Sequence, residues 1–319
     1  NLVAHKLSPA FAVGTSLVLK PAHQSPATAH ALGALIHELG VVPGALNILH
    51  TPPQIGERLA RDERIKVLSF TGSDTVGWRL KSLAGKKQVL LELGGNAPCI
   101  IDETVPLERV LSRIVEACWA NAGQVCIKAQ RLIVSARIYD DFVERFVAAT
   151  QSVRSGDPLD PETVVGPIIE RRHVDRVMAW IREAEQGGAR VLCGARASGS
   201  VIEPTVIVSA TPEMRVCRDE VFGPVTTIEP FETWEQALAS ANRSRFGLQA
   251  SVFTSDLGRA LSAFRTLDYG GVLINDPPTL RVDNFPYGGT KDSGFGREGV
   301  KYAALEYCEP RVLVMSGVG

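Results

Sequence analysis

The chain has 319 residues, 45% of them hydrophobic and 22% charged, with a formal net charge of -1. That length is a prior for two domains with sizeable cores. The near-zero charge gives no basic field for nucleic acid or an anionic membrane surface. Apolar runs break well before the roughly 18 residues that a bilayer crossing needs. The start, Asn1-Leu2-Val3-Ala4-His5-Lys6, lacks the basic segment and apolar block of a signal peptide. Six scattered cysteines without Cys-x-x-Cys spacing read as reduced thiols of a cytoplasmic protein, not a disulfide framework or zinc site. The chain opens on Asn rather than Met, inside an apolar pattern, which reads as a fragment or a processed product.

The first ninety residues alternate strand-like and helix-like stretches. Residues 16–20 read as a strand ended by Pro21, residues 25–39 as a helix closed by Gly40, and residues 46–49 as a second strand. A short helix follows at 54–61, a third strand at 65–70, and a helix from about Ser73. Such alternation predicts a parallel sheet covered by helices on both faces, an α/β architecture. Beyond residue 94, strands are expected at 97–101, 130–135, 189–193, 249–254 and 271–275. Helices are expected at 106–120, 138–152, 170–187, 233–242 and 256–266. The apolar run Arg311-Val312-Leu313-Val314-Met315 reads as a last strand, either an exposed edge or one paired with another subunit.

Several residues could carry chemistry, each beside a plainer reading. In Phe70-Thr71-Gly72-Ser73 a strand turns into a helix, whose free N–H groups could face a phosphate; a simple helix cap is the alternative. The Gly-x-Gly-x-x-Gly dinucleotide fingerprint is not found at the expected place. Lys20, at a strand end, could reach a ribose or phosphate or stand solvated. Glu92, in Leu91-Glu92-Leu93-Gly94-Gly95, could be a base raised in pKa by apolar neighbours, or a structural carboxylate. Cys126, in Asn121-Ala122-Gly123-Gln124-Val125-Cys126, could be a nucleophile or an inert buried thiol. Trp119 and Cys118 read as helix packing residues. His5, His30, His37, His50 and His173 lack metal-ligand spacing, so no metal site is expected.

Taken in order, the runs Ala4-His5-Lys6, Val18-Leu19-Lys20-Pro21, Phe70-Thr71-Gly72-Ser73, Leu91-Glu92-Leu93-Gly94-Gly95, Gly123-Gln124-Val125-Cys126, Glu220-Val221-Phe222-Gly223-Pro224, Phe246-Gly247-Leu248, Pro286-Tyr287-Gly288-Gly289-Thr290-Lys291-Asp292-Ser293-Gly294 and Gly296-Arg297-Glu298-Gly299 resemble the aldehyde dehydrogenase superfamily. The resemblance runs from Asn1 to about Val314. It implies a Rossmann-like cofactor domain at 1–93, a catalytic α/β domain at 94–295, and a tail at 296–319 with an oligomerisation strand. It implies NAD(P)-dependent oxidation of an aldehyde in a homodimer or homotetramer. Cys126 then matches the nucleophile that forms a thiohemiacetal and a thioester, and Glu92 the base that activates the deacylating water. Relatives using coenzyme A typically lack that carboxylate, which disfavours a coenzyme-A-acylating chain.

The same resemblance assigns Lys20 and Glu220 to the cofactor riboses, Phe222 to the nicotinamide, Gly72 and Ser73 to the phosphates, Val76 to the adenine, and Leu93 to the cofactor. His23 stands where many NAD-preferring relatives carry Glu, so NADP is expected to be tolerated. The family's oxyanion-hole Asn lies upstream of the segment matching Asn1. Loss of one such donor costs roughly 10²–10³ in rate, so the alternative is an impaired fragment that retains partial cofactor binding. Val125 and Ile127 flank the nucleophile with apolar side chains. Arg281 lies in a stretch resembling the lactaldehyde, glyceraldehyde-3-phosphate and phosphonoacetaldehyde dehydrogenase branch. It could clamp a carboxylate or phosphoryl group, or pair structurally with Asp283.

Overall fold

The computed structural model describes residues 1–317. The chain folds into two compact units: Asn1–Glu92 with Val282–Gly288 and the residues from Phe295 onward, and Leu93–Arg281 with Gly289–Gly294. The first unit therefore takes back the segment 282–288 and the C-terminal tail, which the chain order alone had placed apart from it. No helix among the described residues is long and apolar enough to cross a membrane.

In the first unit, α1 (Ala4–Ala12) leads into β1 (Leu17–Leu19), α2 (Ala27–Glu38), β2 (Leu46–Ile48), α3 (Pro53–Arg61), β3 (Val67–Thr71), α4 (Asp74–Leu83) and β4 (Gln88–Glu92). The expected single parallel sheet is instead two separate parallel ladders, β1 with β2 and β3 with β4. With only three residues each, β1 and β2 offer a short ladder, closed over a small core of Leu7, Leu19 and Ala29. In this unit two helices escaped the sequence reading, α1 and Val300–Glu306. They belong together: Lys6 Nζ donates to Glu298 Oε1 at 3.3 Å and to Ser69 Oγ at 2.9 Å, and His5 Nδ1 lies 3.5 Å from Glu298 Oε2. The runs Ala4-His5-Lys6 and Gly296-Arg297-Glu298-Gly299 are thus two sides of one buried polar knot. The expected strand at 311–315 is not formed, and Val312 to Met315 are 71–90% exposed. A β-strand needs a neighbour for its N–H and C=O groups, and no described segment supplies one here.

The second unit is built on a seven-stranded sheet. Its strands are β5 (Ala97–Ile101), β6 (Ala129–Ser135), β7 (Arg190–Cys193), β10 (Thr205–Val208), β11 (Val225–Phe231), β13 (Gln249–Phe253) and β14 (Gly271–Ile274). Between β7 and β10 lies a small hairpin, β8 (Ala197–Ser198) with β9 (Val201–Ile202), and ahead of β13 sits the short strand β12 (Phe246–Gly247). The spatial order is β14-β13-β5-β6-β11-β10-β7. Every pair in it is parallel except β10 with β7. The strands β5, β6, β10 and β13 are buried along their whole length, as parallel strands covered on both faces must be. The sequence reading missed β10 and β11; each begins at or just after a proline, Pro204 and Pro224, and β11 also contains Pro230.

Helix α5 (Leu107–Trp119) buries Leu107, Val110, Ile114, Ala117 and Cys118 at spacings of three and four, the single face a helix can turn to a core. Its last residue, Trp119, is fully buried. The indole N–H donates to Thr150 Oγ1 at 3.2 Å, and the ring packs 6.0 Å from Phe146. Trp119 is therefore a packing anchor that fixes where α5 stops and the segment toward Cys126 starts.

Candidate active site

After Trp119 the backbone reverses through three consecutive left-handed residues, Asn121 (φ 53), Ala122 (φ 55) and Gly123 (φ 68). Left-handed conformations cost non-glycine residues on the order of 1 kcal/mol each, and such strain gathers at functional turns. At Gly123 a side chain is also sterically barred, because a Cβ would press into the carbonyl group of Gly223. Cys126 emerges from this turn partly exposed, with Ile127 buried beside it. The thiols of Cys99, Cys118, Cys193 and Cys217 are pushed upward chiefly by burial, those of Cys118 and Cys217 to about 11. Thiols raised that far stay protonated and inert at neutral pH.

The Gly94-Gly95 pair explains itself in this unit. A Cβ on Gly94 would stand 2.8 Å from the carboxyl carbon of Glu220, and one on Gly95 would overlap the carbonyl oxygen of Cys126. The Gly95 N–H donates to Glu220 Oε1 at 2.9 Å. The glycine pair thus brings the peptide of Cys126 and the carboxylate of Glu220 against the same stretch of bare backbone. Ser293 holds that stretch: its hydroxyl donates to Gly94 O at 2.7 Å, and its carbonyl accepts from Leu93 N–H at 2.9 Å. Leu93 itself is buried. Phe222, two residues past Glu220, is left-handed (φ 46) and partly exposed, an unusual conformation for an aromatic residue.

Sequence reasoning missed the polar side chains behind this surface. Lys128 is buried; its ammonium donates to Val225 O and, at 3.3 Å, to Thr226 Oγ1. Burial pulls its pKa down to about 8, while the neighbouring Cys118 and Glu220 act in the opposite sense. Asn96 donates to Cys217 O at 2.7 Å and accepts at 2.8 Å from Arg131, which caps the Ser240 and Ala241 carbonyls. Gln130 reaches the segment around Glu220. None of these residues lies in a motif whose spacing signals chemistry, because their partners are backbone groups far away in sequence.

In the first unit, Glu92 closes β4 opposite Thr71 and is buried. Its carbonyl accepts from Gly72 N–H at 3.1 Å, and a Cβ on Gly288 would lie 3.0 Å from its Oε1. Gly72 and Ser73 are exposed, and Ser73 occupies the N-cap of α4 without a side-chain capping bond. The α4 start is thus not closed off by its own serine, which suits an incoming phosphate. Val76 is 44% exposed on the first turn of α4. Lys20 is partly buried and donates to Pro21 O at 3.3 Å, its stem lying over Gly56. His23, His30 and His50, far apart in the chain, gather here with ring centroids 5.6 and 6.2 Å apart. Among the described residues no group of three His, Cys, Asp or Glu side chains is placed to hold a metal. Val125 is partly buried, as is Arg281, which follows a loop pinned by Gln249 through the carbonyls of Pro278 and Leu280. Asp283 belongs to the other unit, where its carboxylate lies 3.6 Å from His5 Nε2.

Fold and residues converge on one family, and the chain belongs to it: the aldehyde dehydrogenase family matches residues 1–313. Among similar proteins, a 3-sulfolactaldehyde dehydrogenase of Priestia aryabhattai is 41% identical over 99% of this chain and 66% of its own length. A lactaldehyde dehydrogenase of Methanococcus vannielii is 37% identical over 99% of this chain and 69% of its own. Aldehyde dehydrogenase 21 of Physcomitrella patens, solved with the reaction product succinate, superposes with a TM-score of 0.97 at 44% identity, covering 100% of this chain and 67% of that one. The glyceraldehyde-3-phosphate dehydrogenase GapN of Methanocaldococcus jannaschii, solved with NADP, gives 0.93 at 35% identity, covering 96% of this chain and 68% of that one. The chain thus spans about two thirds of the length of these relatives.

The close approach of Gly95 to Cys126 is directly testable. Gly95→Ala should slow alkylation of Cys126 by iodoacetamide about 10- to 100-fold by displacing the Cys126 peptide. Labelling of exposed Cys308, read by mass spectrometry in the same sample, should not change.

Proposed function

We propose that this chain carries the catalytic machinery of an NAD(P)-dependent aldehyde dehydrogenase that oxidises an aldehyde to a carboxylic acid. The observation that carries the reading is Cys126, a partly exposed thiol held at the end of a strained left-handed turn in a chain of this family. The Cys126 thiolate attacks the aldehyde carbon to give a thiohemiacetal, and loss of hydride from that carbon leaves a thioester. Bound NAD(P) supplies the hydride acceptor. Glu92 takes a proton from water, the resulting hydroxide attacks the thioester carbonyl, and the acid departs as the thiol is restored. Glu220 and Lys20 hold the cofactor riboses, Phe222 and Leu93 flank the nicotinamide side, Gly72 and Ser73 receive the phosphates, and Val76 meets the adenine. The unused N-cap of α4 supports the phosphate assignment.

The substrate reading is an anionic aldehyde, with Arg281 as its clamp and Val125 and Ile127 as apolar walls. Self-association as a dimer or tetramer is supported by the exposed apolar tail, Val312 to Met315. A cytoplasmic setting is supported by the scattered reduced thiols. The second reading is a fragment that binds cofactor without turnover, favoured by the share of the relatives' length that the chain spans, 66–69%.

Turnover is followed as absorbance of reduced nicotinamide, on the chain and on the protein at its full natural length. Cys126→Ala should abolish it, and Glu92→Gln should accumulate acyl-enzyme, seen as added mass on Cys126. Cofactor binding without turnover in the shorter form alone would favour the second reading. Arg281→Ala should lower kcat/KM for anionic aldehydes about 10- to 100-fold, the worth of a charge-assisted bond, and leave neutral aldehydes unchanged; equal loss for both would remove the clamp. His23→Glu should lower kcat/KM with NADP about tenfold relative to NAD, because a carboxylate there repels the 2′-phosphate. A wild-type enzyme already strict for NAD would exclude that role for His23.

A further inference from the structure

The segment that carries Glu220 has no strand partner of its own, yet its backbone is paired. Gln130, on β6 and only 2% exposed, supplies the pairing. Its Oε1 accepts from Val221 N–H at 2.9 Å. Its Nε2 donates to Asp219 O at 2.7 Å and to Val216 O at 3.1 Å. Asp219 O and Val221 N–H are the two backbone groups on either side of Glu220. One side-chain amide therefore brackets this residue as a neighbouring strand would, and does so from the strand that begins three residues after Cys126. Asn96 adds a second donor to Asp219 O at 3.1 Å, and Arg176 donates to Val221 O at 2.7 Å.

A single residue fixed on both flanks cannot turn its side chain away by rotating its own backbone. The Glu220 carboxylate is consequently held where the Gly95 N–H meets it, and the left-handed Phe222 is kept in place two residues further on. Removing Gln130 leaves a buried N–H and two buried carbonyls without this partner and frees the segment to relax, at a cost set by each unmade bond. Glu or Lys in its place cannot satisfy both sides, because the pairing requires a donor and an acceptor at one side-chain end.

We propose that Gln130 is a positioning residue for Glu220, setting the affinity for the cofactor's nicotinamide half while taking no part in attack by Cys126. The proposal rests on the reading of Glu220 as a cofactor ligand. It is tested by a double-mutant cycle on the protein at its full natural length, with cofactor Kd, KM for each substrate and amide exchange at Val221 as readouts. Gln130→Met keeps the side-chain volume. It should raise cofactor Kd about tenfold, leave KM for the aldehyde unchanged, and accelerate exchange at Val221. Added to Glu220→Ala, it should raise Kd no further. Gln130→Glu keeps the acceptor for Val221 N–H and loses the donors, so it should fall between wild type and Gln130→Met; it also serves if the methionine variant does not fold. If Glu220→Ala alone raises Kd and the two changes multiply, Gln130 acts independently of Glu220 and the proposal is overturned. If Glu220→Ala leaves cofactor affinity and turnover untouched, the cofactor reading of Glu220 fails and the proposal falls with it.

Discussion

The bare backbone at Gly94-Gly95 is the constraint from which the second unit's chemistry follows. Two partners need that surface: the carboxylate of Glu220, which takes the Gly95 N–H, and the peptide of Cys126, whose carbonyl oxygen lies where a Cβ would be. A Cβ on Gly95 would strike the Cys126 backbone, and one on Gly94 would push the Glu220 carboxylate aside. Everything around the pair keeps it in place. Ser293 ties Gly94 from one side, Asn96 and Arg131 brace the following residues, and Lys128 braces the strand end next to the nucleophile's turn. A buried ammonium is costly to desolvate, and its depressed pKa reports that cost. Its bonds to Val225 O and Thr226 offset part of it.

This arrangement separates reactivity from position. The residues proposed to react, Cys126 and Glu92, sit on a left-handed turn and a strand end, where local backbone geometry sets their direction. The residues that brace the backbone around Gly94 and Glu220 in the second unit are buried amides, a hydroxyl and a guanidinium whose bonds go largely to backbone groups. Such fully satisfied polar networks rigidify a site, whereas a partly satisfied one would weaken it.

The residues proposed to react stand out in the sequence because they lie in short runs with distinctive neighbours: Gly123-Gln124-Val125-Cys126 and Leu91-Glu92-Leu93-Gly94-Gly95. The strand and helix alternation was legible wherever apolar periodicity was unbroken, as in α5 and β5. It failed at β10, a four-residue strand just after Pro204, and at β11, which follows Pro224 and is interrupted by polar residues and Pro230. At 311–315 an apolar run with strand propensity has no described partner within the chain and forms no strand there. Gln130 and Asn96 left no trace in the sequence. The carbonyls to which they donate lie 86 to 123 positions away, so only the folded chain brings them together. The opposite happened with the terminal runs around His5 and Glu298. They served only to mark the family resemblance, and the fold joins them in one polar knot.

The left-handed turn ahead of Cys126 limits how this protein could be improved for durability. Asn121 and Ala122 hold conformations that glycine would adopt without penalty. Relieving them would gain folded-state energy while giving the unfolded chain more freedom, so the net gain is small. The same change would loosen the backbone that leads from Trp119 to Cys126. Thermostability screens on this fold should therefore return few useful changes between Trp119 and Cys126, and most of them far from it.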